Sequence, residues 1–320
     1  MMSSATRNSI LLHGGVLALL FVLQFVLPPY HHTNFARILV LASYAIGYNL
    51  LFGYTGLLSL GHAMFFAAGL YGAGMTVHYF SVDPISGFIC GALAGLCLAI
   101  AVGLVALKTA GVAFMIVTMM FAQACFLLVL YFNEFTRGDE GIVIVEQSRR
   151  FGFLGWQIDL IDPATRYNLA LALFAGAMIL CLLVVRSRFG RTLVAIRENE
   201  DRAKMLGYDT FRYKLLALGL SGLLAGAAGG AYALLFAYVG ATFASIEYSI
   251  LVLLWVLMGG AGTVLGPLVG ALLMFYLVDW TSEVTQGYRL VVGVALVLLV
   301  LFFPQGLLGT LRARYARWLP

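Results

Sequence analysis

Apolar residues gather in long runs along the chain, and polar positions fall between the runs instead of alternating with them. Runs near 10–27, 36–53, 57–77, 85–107, 111–132 and 167–185 precede a basic segment, and runs near 215–238, 246–259, 263–279 and 288–303 follow it. Uncharged stretches of this kind predict membrane-crossing helices. Two joins, Gly53–Gly56 and Gly259–Gly262, fit a turn, a broken helix or a re-entrant segment equally well. Merging 246–279 into one span would carry the arginine-rich tail to the opposite side, so ten spans is the preferred count. The expected fold class is all-α: a polytopic transmembrane helical bundle of about ten spans, a single domain over 1–320, with N and C termini cytoplasmic. The first run follows Arg7 and ends in Pro28-Pro29-Tyr30 instead of a small-residue cleavage site, which favours a retained helix over a signal peptide.

Composition strengthens this picture. Of 320 residues, 62% are hydrophobic and 10% charged, against roughly 25% charged in a soluble domain. The formal net charge of +5 needs no nucleic-acid partner, because its placement suits the positive-inside rule. Arg186, Arg188, Arg191, Arg197, Arg202, Lys204, Arg212 and Lys214 crowd the segment 186–214, and Arg312, Arg314 and Arg317 the tail 304–320. Both segments are therefore expected on the cytoplasmic side. Cys90, Cys97, Cys125 and Cys181 lie within apolar runs, the ordinary place for a small soft hydrophobe. There are 36 glycines; Gly87, Gly91 and Gly95, then Gly222, Gly226 and Gly230, then Gly266 and Gly270 recur every four residues. That spacing puts small residues on one helix face and predicts close packing within lipid.

Three polar stretches interrupt the apolar pattern. Residues 133–166 mix acids and arginines around Trp156, and predict a folded cap that serves either as a connector or as a docking surface for an external protein. Between Thr192 and Leu206 an amphipathic helix is expected, with Leu193, Ile196, Ala203 and Leu206 turned inward. Arg197, Glu198, Glu200, Asp201, Arg202 and Lys204 would then face outward, with Gly207 as its C-cap. Such a mixed-charge helix joined to two spans is either a solvated connector or a handle for another protein to push. Around Gly53 and Gly56 stand Asn49, Thr55, Ser59, His62 and Gly69, polar or small residues in an otherwise apolar setting. Irregular backbone at membrane depth survives only where protein or water satisfies it. His62 is either a satisfied interior residue or part of a substrate path.

"NLLFGYTGLLSLGHAMFFAAGLYGAG" resembles the signature of the branched-chain amino acid ABC transporter permeases, the LivH/LivM family. "AIRENEDRAKMLGYDTFRYKLLALGLSGLLAGAAGGAYA" is similar to that family's cytoplasmic coupling segment, and "VLMGGAGTVLGPLVGALL" to its late glycine-rich helix pair. The three motifs stand in the family's order from about residue 40 to 308, and chain length with the long outer loop liken the chain more to the LivM member. Asp201-Arg202-Ala203 followed by Gly207 is a degenerate form of a Glu-Ala-Ala-x-x-x-Gly signature found in many ABC importer permeases. The resemblance implies a permease subunit in a bacterial inner membrane, working with a homologous LivH-like permease, two cytoplasmic ABC ATPases and a periplasmic substrate-binding protein. It implies leucine, isoleucine or valine as cargo, with urea, short amides or other amino acids as alternatives. It also suggests that the Gly53–Gly74 stretch faces the partner permease, where few polar groups would hold cargo weakly and release it.

The residues agree on the energy source. No G-x-x-x-x-G-K-[ST] phosphate loop is present, and Lys108, Lys204 and Lys214 lack the glycine spacing it needs. No cofactor is implied, and ATP would be bound by a partner. An ion-coupled transporter or channel would need charge deep in the membrane; Glu247, Asp279 and Arg289 stand near the ends of their runs. His13 and His31-His32 form no metal spacing with carboxylates, so an enzyme embedded in the membrane is disfavoured.

Overall fold

The structure is a computed structural model describing residues 4–153, 156–285, 287, 290, 291, 293, 294, 297, 301–303 and 305–314. The expected span 288–303 thus lies partly outside the described residues, as do Arg289 and, in the tail 304–320, residues 304 and 315–320 with Arg317. The helices are α1 (Ser4–Leu23), α2 (Pro29–Asn49), α3 (Ala63–Phe80), α4 (Pro84–Ala106), α5 (Val112–Tyr131), α6 (Asn133–Thr136) and α7 (Pro163–Arg186). There follow α8 (Arg188–Glu198), α9 (Glu200–Met205), α10 (Thr210–Phe236), α11 (Ile246–Gly259), α12 (Gly266–Val284) and α13 (Leu307–Arg314).

Six helices among the described residues are long and apolar enough to cross a membrane: Tyr30–Tyr54, α4, α5, α7, α10 and α12. The chain is a multi-pass inner-membrane protein. The segment expected as a span at 246–259 forms a helix with those bounds, but 14 residues rise only about 21 Å, short of a hydrocarbon layer about 30 Å thick. The expected helix 57–77 begins instead at Ala63. Before it, a π-helical turn over Leu50–Tyr54 ends α2, and residues 56–62 return into the bundle without regular structure.

Exposure sorts the layers. The α2 and α10 helices are buried over most of their length and α5 over little of it, so the first two form the centre. Leu93, Leu104, Ile116 and Met120 are left outside, the arrangement expected of a lipid-facing shell. Packing of α10 on α3 and α4 depends on the four-residue glycine rows. A Cβ on Gly69 would lie 2.0 Å from the Gly226 carbonyl oxygen, and one on Gly95 2.5 Å from that of Gly222. The same device closes the α11–α12 hairpin, where a Cβ on Gly270 would strike the Trp255 carbonyl. With no hydrophobic force between helices in lipid, this backbone contact supplies the adhesion.

Two regions depart from the all-α, single-helix expectations. Within 133–166 the chain forms strands β1 (Ile142–Val143), β2 (Arg150–Phe153) and β3 (Trp156–Asp159). The last two pair as an antiparallel hairpin with Arg150 opposite Asp159, and β1 pairs with β4 (Tyr238–Val239) just beyond α10. Outside a continuous helix the backbone groups need other partners, and these short ladders supply them. The expected single helix over 192–206 is two helices, because Asn199 takes an extended conformation and its side chain accepts from the Arg202 backbone N–H at 2.8 Å. Leu193, Ile196 and Ala203 are buried as expected, whereas Leu206 is 72% exposed, turned outward by the break.

A Gly69→Ala substitution is expected to destabilise the purified protein by about 1–3 kcal/mol through overpacking. Gly176→Ala, whose added methyl meets nothing within 4 Å, is the matched control. Thermal unfolding in detergent measures both, and equal melting points would show that the α3–α10 contact yields readily.

Candidate translocation and coupling site

At the end of the bundle where α2 breaks, side chains from three elements converge on two glycine turns. Asn49, the last residue of α2, donates from Nδ2 to the Thr263 carbonyl at 2.9 Å and accepts from the Gly262 N–H at 2.9 Å. One buried amide thereby joins the break to the turn between α11 and α12. Arg197, from α8, donates from Nη1 to the Gly53 carbonyl, and Arg312, from α13, donates to the Gly262 carbonyl at 2.8 Å. Gly53 fits because a Cβ there would fall 2.1 Å from Asn49 Oδ1 and 2.5 Å from the Gly262 nitrogen. Gly56 lies against the Arg197 stem, and Thr55 Oγ1 donates back to the Leu50 carbonyl at 3.0 Å. A cavity of about 550 Å³ opens beside these arginines, lined also by Phe52, Leu257 and Gln305.

From there the irregular segment climbs into the protein. The Tyr48 hydroxyl donates to the Ser59 carbonyl at 3.0 Å, and Ser59 Oγ accepts from the Gly61 N–H at 3.3 Å. The start of α3 is closed by Ser249 of α11, whose Oγ accepts from the Ala63 N–H at 2.9 Å. His62 is fully buried, stacked on Tyr44 with ring centroids 5.7 Å apart and edge-on to Tyr48 and Phe65. Ser221 Oγ donates to the Gly47 carbonyl, so at 3.1 Å it accepts from His62 Nε2. That fixes the tautomer and leaves Nδ1 a buried acceptor without a donor among the described residues.

Asn49, Gly53, Thr55, Ser59, His62 and Gly69 are all buried within this one chain, and only Gly56 of that group is exposed. The glycine-rich stretch forms a joint packed on α10 and the α11–α12 turn.

The α8–α9 elbow divides its charges between two tasks. Glu198, Asp201, Arg202 and Lys204 are exposed. Arg197 reaches back to the break, and Glu200 turns inward to Lys214 Nζ and to Thr210 Oγ1 at 3.1 Å, bracing the elbow against α10. Partial burial alone would raise the Glu200 carboxyl pKa, but hydrogen bonds from Lys214, Lys204 and Thr210, with the Lys214 charge, hold it below the ordinary carboxylate value. Gly207 adopts φ +87° and its N–H bonds the Lys204 carbonyl, while Tyr208 N–H bonds that of Ala203. Together they close a Schellman C-cap. Beyond it Met205 and Leu206 project outward, 86% and 72% exposed.

Sequence reasoning passed over Arg312 as a contact to the α11–α12 turn, the exposed Met205–Leu206 pair, and Arg37. Arg37 carried a signal, a lone cation at the head of an apolar run; the contacts of Arg312 join residues 50 apart and left none. Among the described residues no group of histidines, cysteines and carboxylates could hold a metal ion.

Comparison with known proteins gives a consistent result. A family described as "Branched-chain amino acid transport system / permease component" matches residues 33–302. The chain is 30% identical over 290 residues to the high-affinity branched-chain amino acid transport system permease protein LivM of Escherichia coli, covering 83% of this chain and 67% of that protein. The values are the same for LivM of Salmonella typhimurium. The autoinducer 2 import system permease protein LsrC of Klebsiella pneumoniae subsp. pneumoniae is 30% identical over 171 residues, 49% of this chain and 46% of the relative.

Two outcomes check this geometry. Asn49→Ala removes two hydrogen bonds and strands a buried N–H and C=O, an expected loss of about 2–4 kcal/mol in thermal unfolding. Because the Glu200 carboxyl is held low, its pairing contributes stability above the unfolded-state carboxylate pKa and loses it as pH falls through the folded value. Relative to Glu200→Gln, the wild-type protein should therefore lose melting temperature on acidification; parallel pH profiles would exclude the brace.

Proposed function

The chain belongs to the branched-chain amino acid transport permease family, and from that premise we propose that it forms half of the path by which an importer moves leucine, isoleucine or valine. It is the permease component of an ABC transport system, not its ATPase. In this proposal it pairs with a homologous permease, the exposed side of the α8–α9 elbow meets one of two cytoplasmic ATPases, and a substrate-binding protein docks over the 133–166 cap. The full scheme of ten spans with both termini cytoplasmic belongs to the same proposal.

One contact carries the mechanism: the Arg197 guanidinium held on the Gly53 carbonyl. It links the elbow, which a partner can push, to the point where α2 loses its helix. A nucleotide can shift the permease between two arrangements only through contacts that differ between them. Movement of α8 would draw the Gly53 turn with it, and through Asn49 the Gly262 turn as well, so that both broken ends shift together. The small residues and single hydrogen bonds of the joint suit a part that must change partners without a large barrier. Aromatic rings line its interior side. Tyr44 stacks on Tyr248, Phe66 packs on Tyr232, and Trp255 stands edge-on to Tyr44, surroundings suited to a branched aliphatic side chain.

The test is reconstitution of the permease with its partner permease, ATPases and binding protein in vesicles, with labelled leucine and labelled urea as competing cargoes. ATP-dependent leucine uptake is expected. Arg197→Gln, which removes a charged hydrogen bond, should lower uptake per ATP hydrolysed by about tenfold. Urea uptake without leucine uptake would overturn the cargo assignment, and unchanged coupling in Arg197→Gln would overturn the lever.

A further inference from the structure

Arg37 lies in the third turn of α2, within an apolar helix, where an ionisable group is costly and marks a functional site by default. Its guanidinium stands 5.2 Å from the centroid of the Phe236 ring, and that of Arg166, in the first turn of α7, stands 5.7 Å from the same ring. Nε of both is buried with no acceptor among the described residues. Neither takes part in an ion pair there. Asn34, three residues before Arg37 and so on the same helix face, has a buried amide nitrogen in the same condition. The neighbouring cation, Arg149, differs because it is fully engaged: it donates to the Leu234, Leu235 and Leu160 carbonyls at 2.7–3.0 Å.

The local supply of negative charge is small. The C-terminus of α10 offers about half a unit of negative charge, and Arg149 already covers its carbonyls. Asp162 is the N-cap of α7, accepting from Thr165 N and Oγ1 at 2.8 and 2.9 Å. Asp159 pairs with Arg150 at 3.0 Å. Buried polar groups in folded proteins find partners, and what these three donors lack is a compact group of acceptors. A carboxylate supplies it, with two oxygens matched to a guanidinium.

Behind this donor cluster runs a series of rings. Phe236 and Tyr232 are 4.8 Å apart, Tyr232 and Phe243 4.9 Å, Phe243 and Tyr248 5.1 Å, and Tyr248 and Tyr44 6.1 Å. Tyr44 then stacks on His62, at the joint already described.

We propose that Arg37 and Arg166, astride Phe236, receive the carboxylate of the transported amino acid at the cap end of the path, and that the ring series accepts its apolar side chain; this rests on the amino-acid import proposed above. Phe236 lets the cations release what they hold. Each guanidinium has the ring face to return to, so the carboxylate exchanges against a cation–π contact and passes on instead of remaining trapped. Arg166 also keeps one anchor, donating from Nη2 to the Ile161 carbonyl at 3.2 Å, which fixes its side of the cluster while Arg37 is free to follow the cargo.

The complete complex, reconstituted with excess binding protein, tests this through Arg37→Gln and Arg37→Lys. In Arg37→Gln the maximal rate of leucine uptake should fall about tenfold or more, while ATP turnover stimulated by the binding protein persists. Arg37→Lys should recover part of the rate. A second readout uses Trp255, which lies edge-on to Tyr44 and Tyr248 at 6.4 and 6.3 Å. In complexes without binding protein, leucine should change its fluorescence at lower concentration than leucinamide, and Arg37→Gln should erase that preference. A wild-type rate and an unchanged preference in Arg37→Gln would overturn the proposal. So would loss of the second permease on purification of Arg37→Gln, which would assign the charge to a contact between subunits. A wild-type complex that imports urea but no amino acid would bring down the import assignment and this proposal together, whereas leucine uptake indifferent to Arg37 removes this proposal alone.

Discussion

Backbone N–H and C=O groups released where a buried helix breaks must find partners in protein or water, because an apolar interior offers nothing to replace the lost bond. Most of what is distinctive in this chain follows from that demand at Gly53–His62. Asn49, Tyr48, Ser221 and Ser249 each direct a polar atom to the backbone of the broken helices and the turns they meet, and Arg197 and Arg312 add charged donors from outside the bundle. These side chains come from α2, α8, α10, α11 and α13. A break satisfied by so many elements is one that motion in any of them can disturb, and the same network that makes the irregular segment affordable makes it responsive.

The glycine rows serve the complementary need. Where backbone meets backbone at Gly69–Gly226 and Gly95–Gly222, helices adhere over a smooth surface without interlocking side chains. The centre of the bundle is therefore dense but has few knobs to lock it in one register. Rigid elements meeting at a polar joint, with smooth contacts beside it, suit the coupling to a separate motor proposed above. The two ends of the joint differ in chemistry. Toward the elbow, arginines are bound to backbone carbonyls, whereas toward the cap Arg37 and Arg166 rest on a ring and each keeps Nε without an acceptor among the described residues.

Several parts were legible because they depend on local pattern. The bounds of α4, α5, α7 and α11 follow apolar runs to within a few residues. The spacing of Gly222, Gly226 and Gly230 marked a packing face, and Gly207 marked a helix end. Other parts were not. Asn199 splits the elbow although its neighbours keep helical periodicity, since a single residue can cap as readily as continue a helix. Glu200 and Arg197 resembled their exposed neighbours until α10 and the Gly53 turn were placed beside them. Strand pairing of Ile142–Val143 with Tyr238–Val239 joins positions nearly a hundred residues apart, and two-residue strands carry no periodicity of their own.

The amino-acid sequence by itself determined the solvent this protein lives in, the position of most helices and the family to which it belongs, because hydropathy runs and motif order are properties of neighbouring residues. Only the tertiary structure decided that the glycine-rich stretch forms a joint, that Arg197 and Arg312 hold two separate turns, and that Arg37 and Arg166 share one aromatic ring. Burial and pairing are relations between distant segments, and they come into existence only when helices far apart in the chain are brought within a few ångströms.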